Sequence, residues 1–176
     1  MKKILCAAVC FLALFAGTGI SNAEKNESLD LSVSDNRIVS IDYTLYADGN
    51  TIVETTKGKK PLIYVQGKGQ LLNALEKELA GMRKGQKKNI VIKPEDGYGE
   101  IRKDYFVEVP IEEVPEASRA EGKVLTVTGK DGGPVNCVVK KIDATKAVLD
   151  FNHSLAGKIL RYKVEVIDVK DRMQFN

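Results

Sequence analysis

The side chains best placed for chemistry are tyrosines and a single histidine, and their spacing suits binding rather than bond-making. Tyr98 stands in Pro94-Glu95-Asp96-Gly97-Tyr98-Gly99, a glycine-flanked turn where neither strand nor helix calls for an aromatic. Its hydroxyl can donate a hydrogen bond to a ligand carbonyl. His153 is the sole histidine and lies in the loop Asn152 to Lys158, where ordering that loop through hydrogen bonds is its expected task. No Ser/His/Asp arrangement and no pair of carboxylates with acid–base spacing is visible. Gly67-Lys68-Gly69 lacks both the GxxxxGK[ST] pattern and a third glycine, which excludes a phosphate loop.

The ends of the chain bound the class. Lys2 and Lys3 precede an uncharged apolar run from Ile4 to Ala16, and Ser21-Asn22-Ala23 supplies small residues for a signal peptidase. The run is shorter than the roughly 20 residues a bilayer span needs. Residues 1–23 are therefore expected to be a signal peptide, with the mature chain starting at Glu24 in a periplasmic or secreted location. Of 27 Lys+Arg and 24 Asp+Glu, two lysines leave with that segment, and the mature balance is +1. So neutral a chain carries no electrostatic footprint for nucleic acid or anionic lipid. Processing also removes Cys6 and Cys10. Cys137 remains, unable to form an internal disulfide and too alone beside one histidine to build a metal site. It alternates with Val135 and Val139 in a strand pattern and is expected to be buried and inert. No metal or cofactor is expected.

Periodicity supplies the elements. Residues 24–36 are polar and aperiodic, which predicts a flexible leader. Val39, Ile41, Tyr43 and Leu45 alternate with polar residues, Asp48-Gly49 signals a hairpin, and Thr51 to Thr55 returns. A short strand from Leu62 to Gln66 precedes a helix whose stripe is Leu71, Leu75 and Leu79, widened by Leu72, with Asn73, Glu76, Lys77 and Glu78 on the other face. Gly81 stops it. A strand follows at 86–93. After Gly99 the composition shifts to Pro110 and Pro115, then to a hairpin of Lys123–Thr128 and Val135–Ile142 around Asp131-Gly132-Gly133. Strands Ala147–Phe151 and Ile159–Val169 end the pattern, the last placing Leu160, Tyr162, Val164 and Val166 on one face. This predicts an α+β fold with an inserted, small β-rich lobe.

Several motifs in order carry a resemblance. Val39 to Leu45 with Asp48-Gly49 is similar to the opening strand and turn of FKBP-type isomerases. Gly69-Gln70-Leu71-Leu72-Asn73-Ala74-Leu75-Glu76 resembles their helix, and Gly81-Met82-Arg83-Lys84-Gly85 the turn after it. The segment around Tyr98 resembles their P-x-D-x-Y-G stretch. Leu149 to Lys158 is similar to the NHPLAGK signature of the SlyD-like branch, with Ser154 in place of the proline. The resemblance covers about residues 37–170. It implies an antiparallel sheet wrapped on one helix (37–100 and 148–170), interrupted by a chaperone-like lobe (101–147), with 171–176 as a tail.

The resemblance also implies a function: cis/trans isomerisation of peptidyl-prolyl bonds, with proline-containing peptides and unfolded chains as partners and a monomeric state. It implies a pocket of Tyr43, Ile52, Leu62, Tyr64, Leu71, Leu72, Leu75, Tyr98 and Tyr162, with Tyr98 in the catalytic role. His153 and Leu155 of the signature loop count as substrate-binding. Val53 stands where the pocket usually holds an aspartate, with Glu54 one place later. Without the resemblance, Leu71, Leu72 and Leu75 read as plain helix-to-sheet core. Because Val53 is apolar, the competing reading is a holdase chaperone whose isomerase pocket is weak or inactive. A secreted β-rich adhesin or inhibitor module is the third, which the ordered motifs oppose.

Overall fold

A computed structural model describes residues 31–129 and 131–171. The expected signal peptide, residues 24–30 of the leader and the tail beyond 171 lie outside the described residues. Strand β1 (Ile38–Ala47) realises the alternation read from its sequence: Val39, Ile41, Leu45 and Ala47 are buried. Asp48 and Gly49 both take positive φ, 48° and 85°, which is the backbone a tight hairpin demands. The chain returns as β2 (Thr51–Thr55), then forms β3 (Leu62–Val65), helix α1 (Asn73–Leu79) and β4 (Lys87–Ile92). The last strand, β9 (Leu160–Lys170), buries Leu160, Tyr162, Val164 and Val166.

These strands form one antiparallel sheet in the order β2-β1-β9-β4, with β3 pairing the other half of β1. One face of it contributes Val39, Ile41, Leu45, Ile90, Ile92, Leu160 and Val166 to the same core as Leu75 and Leu79 of α1. Burying such side chains contributes roughly 1.5–3 kcal/mol each. The leader corrects one expectation. Val33 is 1 % exposed, and its backbone exchanges hydrogen bonds with Met82 and Gly81. Residues 31–36 are thus part of the structure, because Val33 closes the end of the core beneath α1.

The helix is also shorter than its leucine stripe suggested. It begins at Asn73, leaving Leu71 and Leu72 in the preceding turn, and no side chain caps its first turn. Glu76, expected on the outer face, is 6 % exposed.

The second sheet contains β5 (Phe106–Pro110), β6 (Val124–Thr128), β7 (Pro134–Ile142) and β8 (Lys146–Asp150), in the order β5-β8-β7-β6. It has its own small core of Val114, Leu125, Cys137, Val139, Ala147 and Leu149. The Cys137 thiol is 2 % exposed, and burial pushes its pKa up. All of β8 pairs within this sheet, so the return to the larger sheet falls after Asp150, not at residue 148. The two crossings run side by side. Asn152 accepts a hydrogen bond from the Arg102 N–H at 2.8 Å and donates its own amide to the Arg102 carbonyl at 3.1 Å.

Candidate functional site

The two elements that alternate most strictly, β1 and β9, also carry the tyrosines of the site. Tyr43 from β1 and Tyr162 from β9 face the same side, with ring centroids 6.0 Å apart at an interplanar angle of 45°. Leu62, Leu71, Leu72 and Leu75 close the far wall, and the ring of Tyr98 stands at the mouth. Together they enclose a cavity of about 300 Å³. That is the lower end of the size range for small-ligand pockets.

Electrostatics follow from burial. The phenol of Tyr162 is pushed up to about 12, chiefly by burial, with the charges of Tyr98 and Glu54 adding to the rise. Tyr43 is raised above the ordinary phenol range, first by burial and then by the hydrogen bond it donates to the Glu54 carboxylate. Both rings therefore stay protonated and remain donors across the physiological range.

Tyr98 is held by its turn. Gly99 takes a φ of +79°, and its N–H donates to the Pro94 carbonyl at 2.8 Å. Above the turn, the His153 ring stacks on Tyr98 with centroids 3.9 Å apart. His153 Nδ1 accepts the Leu155 N–H at 3.1 Å, so in the neutral ring the proton sits on Nε2. His153 thus orders its own loop and braces Tyr98, but it is not part of the cavity wall.

Besides His153, four expected site residues lie outside the cavity wall. Tyr64 is 2 % exposed in the core, its hydroxyl donated to Gln66 Oε1 at 2.9 Å. Leu155 is buried under the signature loop. Ile52 and Val53 are exposed on β2, away from the cavity. The reason is a β-bulge: Leu45 pairs with Glu54, but Tyr46 pairs with Ile52, so Val53 is the extra residue. The bulge re-aims the strand and delivers Glu54 to the cavity, beside Tyr43.

The sequence profile of the family FKBP_C, FKBP-type peptidyl-prolyl cis-trans isomerase, matches residues 30–166. The chain belongs to this family. Among similar FKBP-type isomerases is the one named SlyD in Haemophilus influenzae, 33 % identical over 80 % of this chain and 74 % of that protein. Another is a probable FKBP-type 16 kDa isomerase of Pseudomonas fluorescens, 30 % identical over 78 % of this chain and 92 % of that one. The crystal structure of FkpA from Escherichia coli aligns at 18 % identity and a TM-score of 0.44, over 80 % of this chain and 43 % of its own. The activity of this FKBP-type protein is peptidyl-prolyl cis/trans isomerisation, and the SlyD-like resemblance and the α+β architecture hold.

Some residues of the FKBP-type cavity escaped sequence reasoning. Ile41 lines it and was legible from its alternation with Tyr43. Glu54 was legible only as an acid in a β-branched run. Gly69 and Gln70 line it from the loop before α1, where no period exists to assign a face. A larger hollow is lined by Asp42, Lys57, Lys87, Lys88, Lys163 and Glu165 beside Tyr43 and Val164, and neither Tyr98 nor Tyr162 lines it.

Proposed function

We propose that the tyrosine-walled cavity is the isomerase site, that Tyr98 donates to the carbonyl beside the substrate proline, and that the second sheet holds unfolded chains for it. The observation that carries the site is the convergence of Tyr43, Tyr98 and Tyr162 on a leucine-lined cavity.

Rotation about an Xaa–Pro bond faces a barrier of roughly 18–20 kcal/mol, because the planar amide has partial double-bond character. In the twisted transition state the nitrogen regains its lone pair and the amide dipole shrinks. Water solvates the planar form better, so a proline amide seated against Leu62, Leu71, Leu72 and Leu75, where it gives up water, favours the twisted one. No nucleophile or base is needed. Tyr98, at 37 % exposure and fixed by the His153 stack, can reach a carbonyl at the mouth. Tyr162 keeps its proton and offers a further donor, while the Tyr43 O–H is engaged by the Glu54 carboxylate. A protease-coupled assay on a short Xaa-Pro peptide tests the site: the Tyr98→Phe protein should be several-fold slower, and unchanged activity would remove Tyr98 from it.

For the second sheet, support comes from exposed apolar side chains on a small lobe. Val124 is 65 % exposed and pairs with Val138 on the face opposite Leu125 and Cys137, while Tyr105, Val107 and Val135 are also open. Surfaces of this kind mark protein interaction sites. Proline-limited folding would then be faster because a held chain presents its prolines to the cavity at high local concentration. The holdase alternative rested on Val53, which stands outside the cavity.

Export rests on the order of Lys2-Lys3, the apolar run and Ser21-Asn22-Ala23. Mass spectrometry of protein recovered from the periplasm or medium should show Glu24 at the N-terminus. A chain that stays in the cytoplasm and begins at Met1 would overturn the assignment.

A further inference from the structure

Glu76 is a buried carboxylate that the isomerase chemistry does not use. It is 6 % exposed, and none of the ion pairs among the described residues involves it. Its oxygens instead accept three backbone N–H groups from the loop before its helix. Gly67 donates to Oε2 at 3.0 Å, and Gln70 and Leu71 donate to Oε1 at 3.1 Å and 3.3 Å. The backbone carbonyl of Glu76 also accepts Gln66 Nε2 at 2.8 Å, which ties in the other end of the same loop. A carboxylate with its lone pairs filled by backbone donors is a strong anchor, since each such bond is charge-assisted.

What this anchor holds is a wall of the cavity. Gly69, Gln70 and Leu71 all line it, and the loop that carries them has no regular structure of its own. Gly67 and Gly69 take positive φ, which glycine adopts without steric cost and which lets the loop turn back toward Glu76. Among the described residues, this wall is also tied by Gln70 Oε1, which accepts the Val65 N–H at 2.6 Å. We infer that Glu76 is the positioning residue of the isomerase cavity, holding the Gly69–Leu71 wall in the shape that receives the proline. This rests on reading the cavity as the substrate site.

The test is Glu76→Gln in the full chain, which keeps the side-chain size and one acceptor but turns an amino group toward the loop N–H groups. KM for an Xaa-Pro peptide should rise about tenfold with kcat within about twofold, as expected for a displaced binding wall. Hydrogen exchange at Gly67, Gln70 and Leu71 should accelerate at least about tenfold, while the amides of β1 and β9 keep their protection. Unchanged KM in the folded variant, or acceleration spread evenly over the protein, would overturn the inference. If the variant does not fold, exchange in the wild type decides: unprotected amides at Gly67, Gln70 and Leu71 overturn it, and protected ones support it. Peptide titration of the wild type by NMR separates the two readings. If Leu71 and Tyr98 do not respond to peptide, the cavity assignment fails. If they respond but Glu76→Gln leaves KM alone, only the role of Glu76 fails.

Discussion

Tyr98 and His153 lie ring on ring, 3.9 Å apart with planes within 4° of parallel. The pair joins the segment that leaves the larger sheet to the one that returns. Next to it, the Gly99 carbonyl accepts the Gly157 N–H at 2.8 Å, and Asn152 holds both backbone groups of Arg102. The mouth of the cavity is therefore built at the junction of the two sheets.

Separate contributions of ring and hydroxyl follow from this stack. Tyr98→Phe keeps the ring on His153 and removes the donor, so kcat/KM should fall several-fold, about 1 kcal/mol, with little change in thermal midpoint. His153→Ala leaves the hydroxyl but frees the ring and the Leu155 N–H. It should lower both kcat/KM and the midpoint. Peptide isomerase rates and thermal melts of the two variants provide the comparison, and matching effects on both quantities would refute the division.

The bulge makes a sharp contrast between neighbours on β2. Val53 is 44 % exposed, so Val53→Asp should leave peptide activity within about twofold and stability within about 0.5 kcal/mol. Glu54→Ala removes the acceptor of the Tyr43 hydroxyl and should cost about 1 kcal/mol in kcat/KM. Activity assays and urea midpoints check both. A large gain of activity in Val53→Asp would mean that the strand register differs from the one described.

Alkaline pH should weaken the fold through its buried phenols. The Tyr162 phenol is raised from 10.0 to about 12, while the unfolded chain releases that proton near its ordinary value. Between these values the folded state binds more protons than the unfolded one, so stability falls as pH rises. Below pH 10 this group contributes no slope. Urea midpoints measured from pH 8 to pH 12 should drop above pH 10, and Tyr162→Phe should drop less steeply. Parallel curves would show that Tyr162 is not the source.

Excision tests the division of labour between the sheets. Because Asn152 touches Arg102, replacing residues 103–151 with two or three glycines should close the gap without strain and leave the larger sheet folded. Tetrapeptide isomerisation should fall only modestly. Acceleration of a proline-limited protein refolding should fall by about an order of magnitude or more, as the local concentration of held chain is lost. Equal losses on both substrates would argue against chain holding by the second sheet.

Much of this architecture was legible in the linear chain, for a simple reason. Strict alternation in β1 and β9 puts Ile41, Tyr43, Tyr162 and Val164 on one face whatever surrounds them, and the order of motifs points to a single family. Cys137 read correctly as a buried strand residue on the same grounds. What only the tertiary structure decided lies where a period breaks. One extra residue at Val53 moves Glu54 into the cavity, and alternation counts straight through a bulge without seeing it. Tyr64 resembles Tyr43 in type and strand context, yet it points into the core because Gln66 is there to take its hydroxyl. Glu76 was assigned to the solvent face by helical spacing. It is buried because the loop before a seven-residue helix folds back over it and supplies three N–H donors, a partnership that no local pattern of residues encodes.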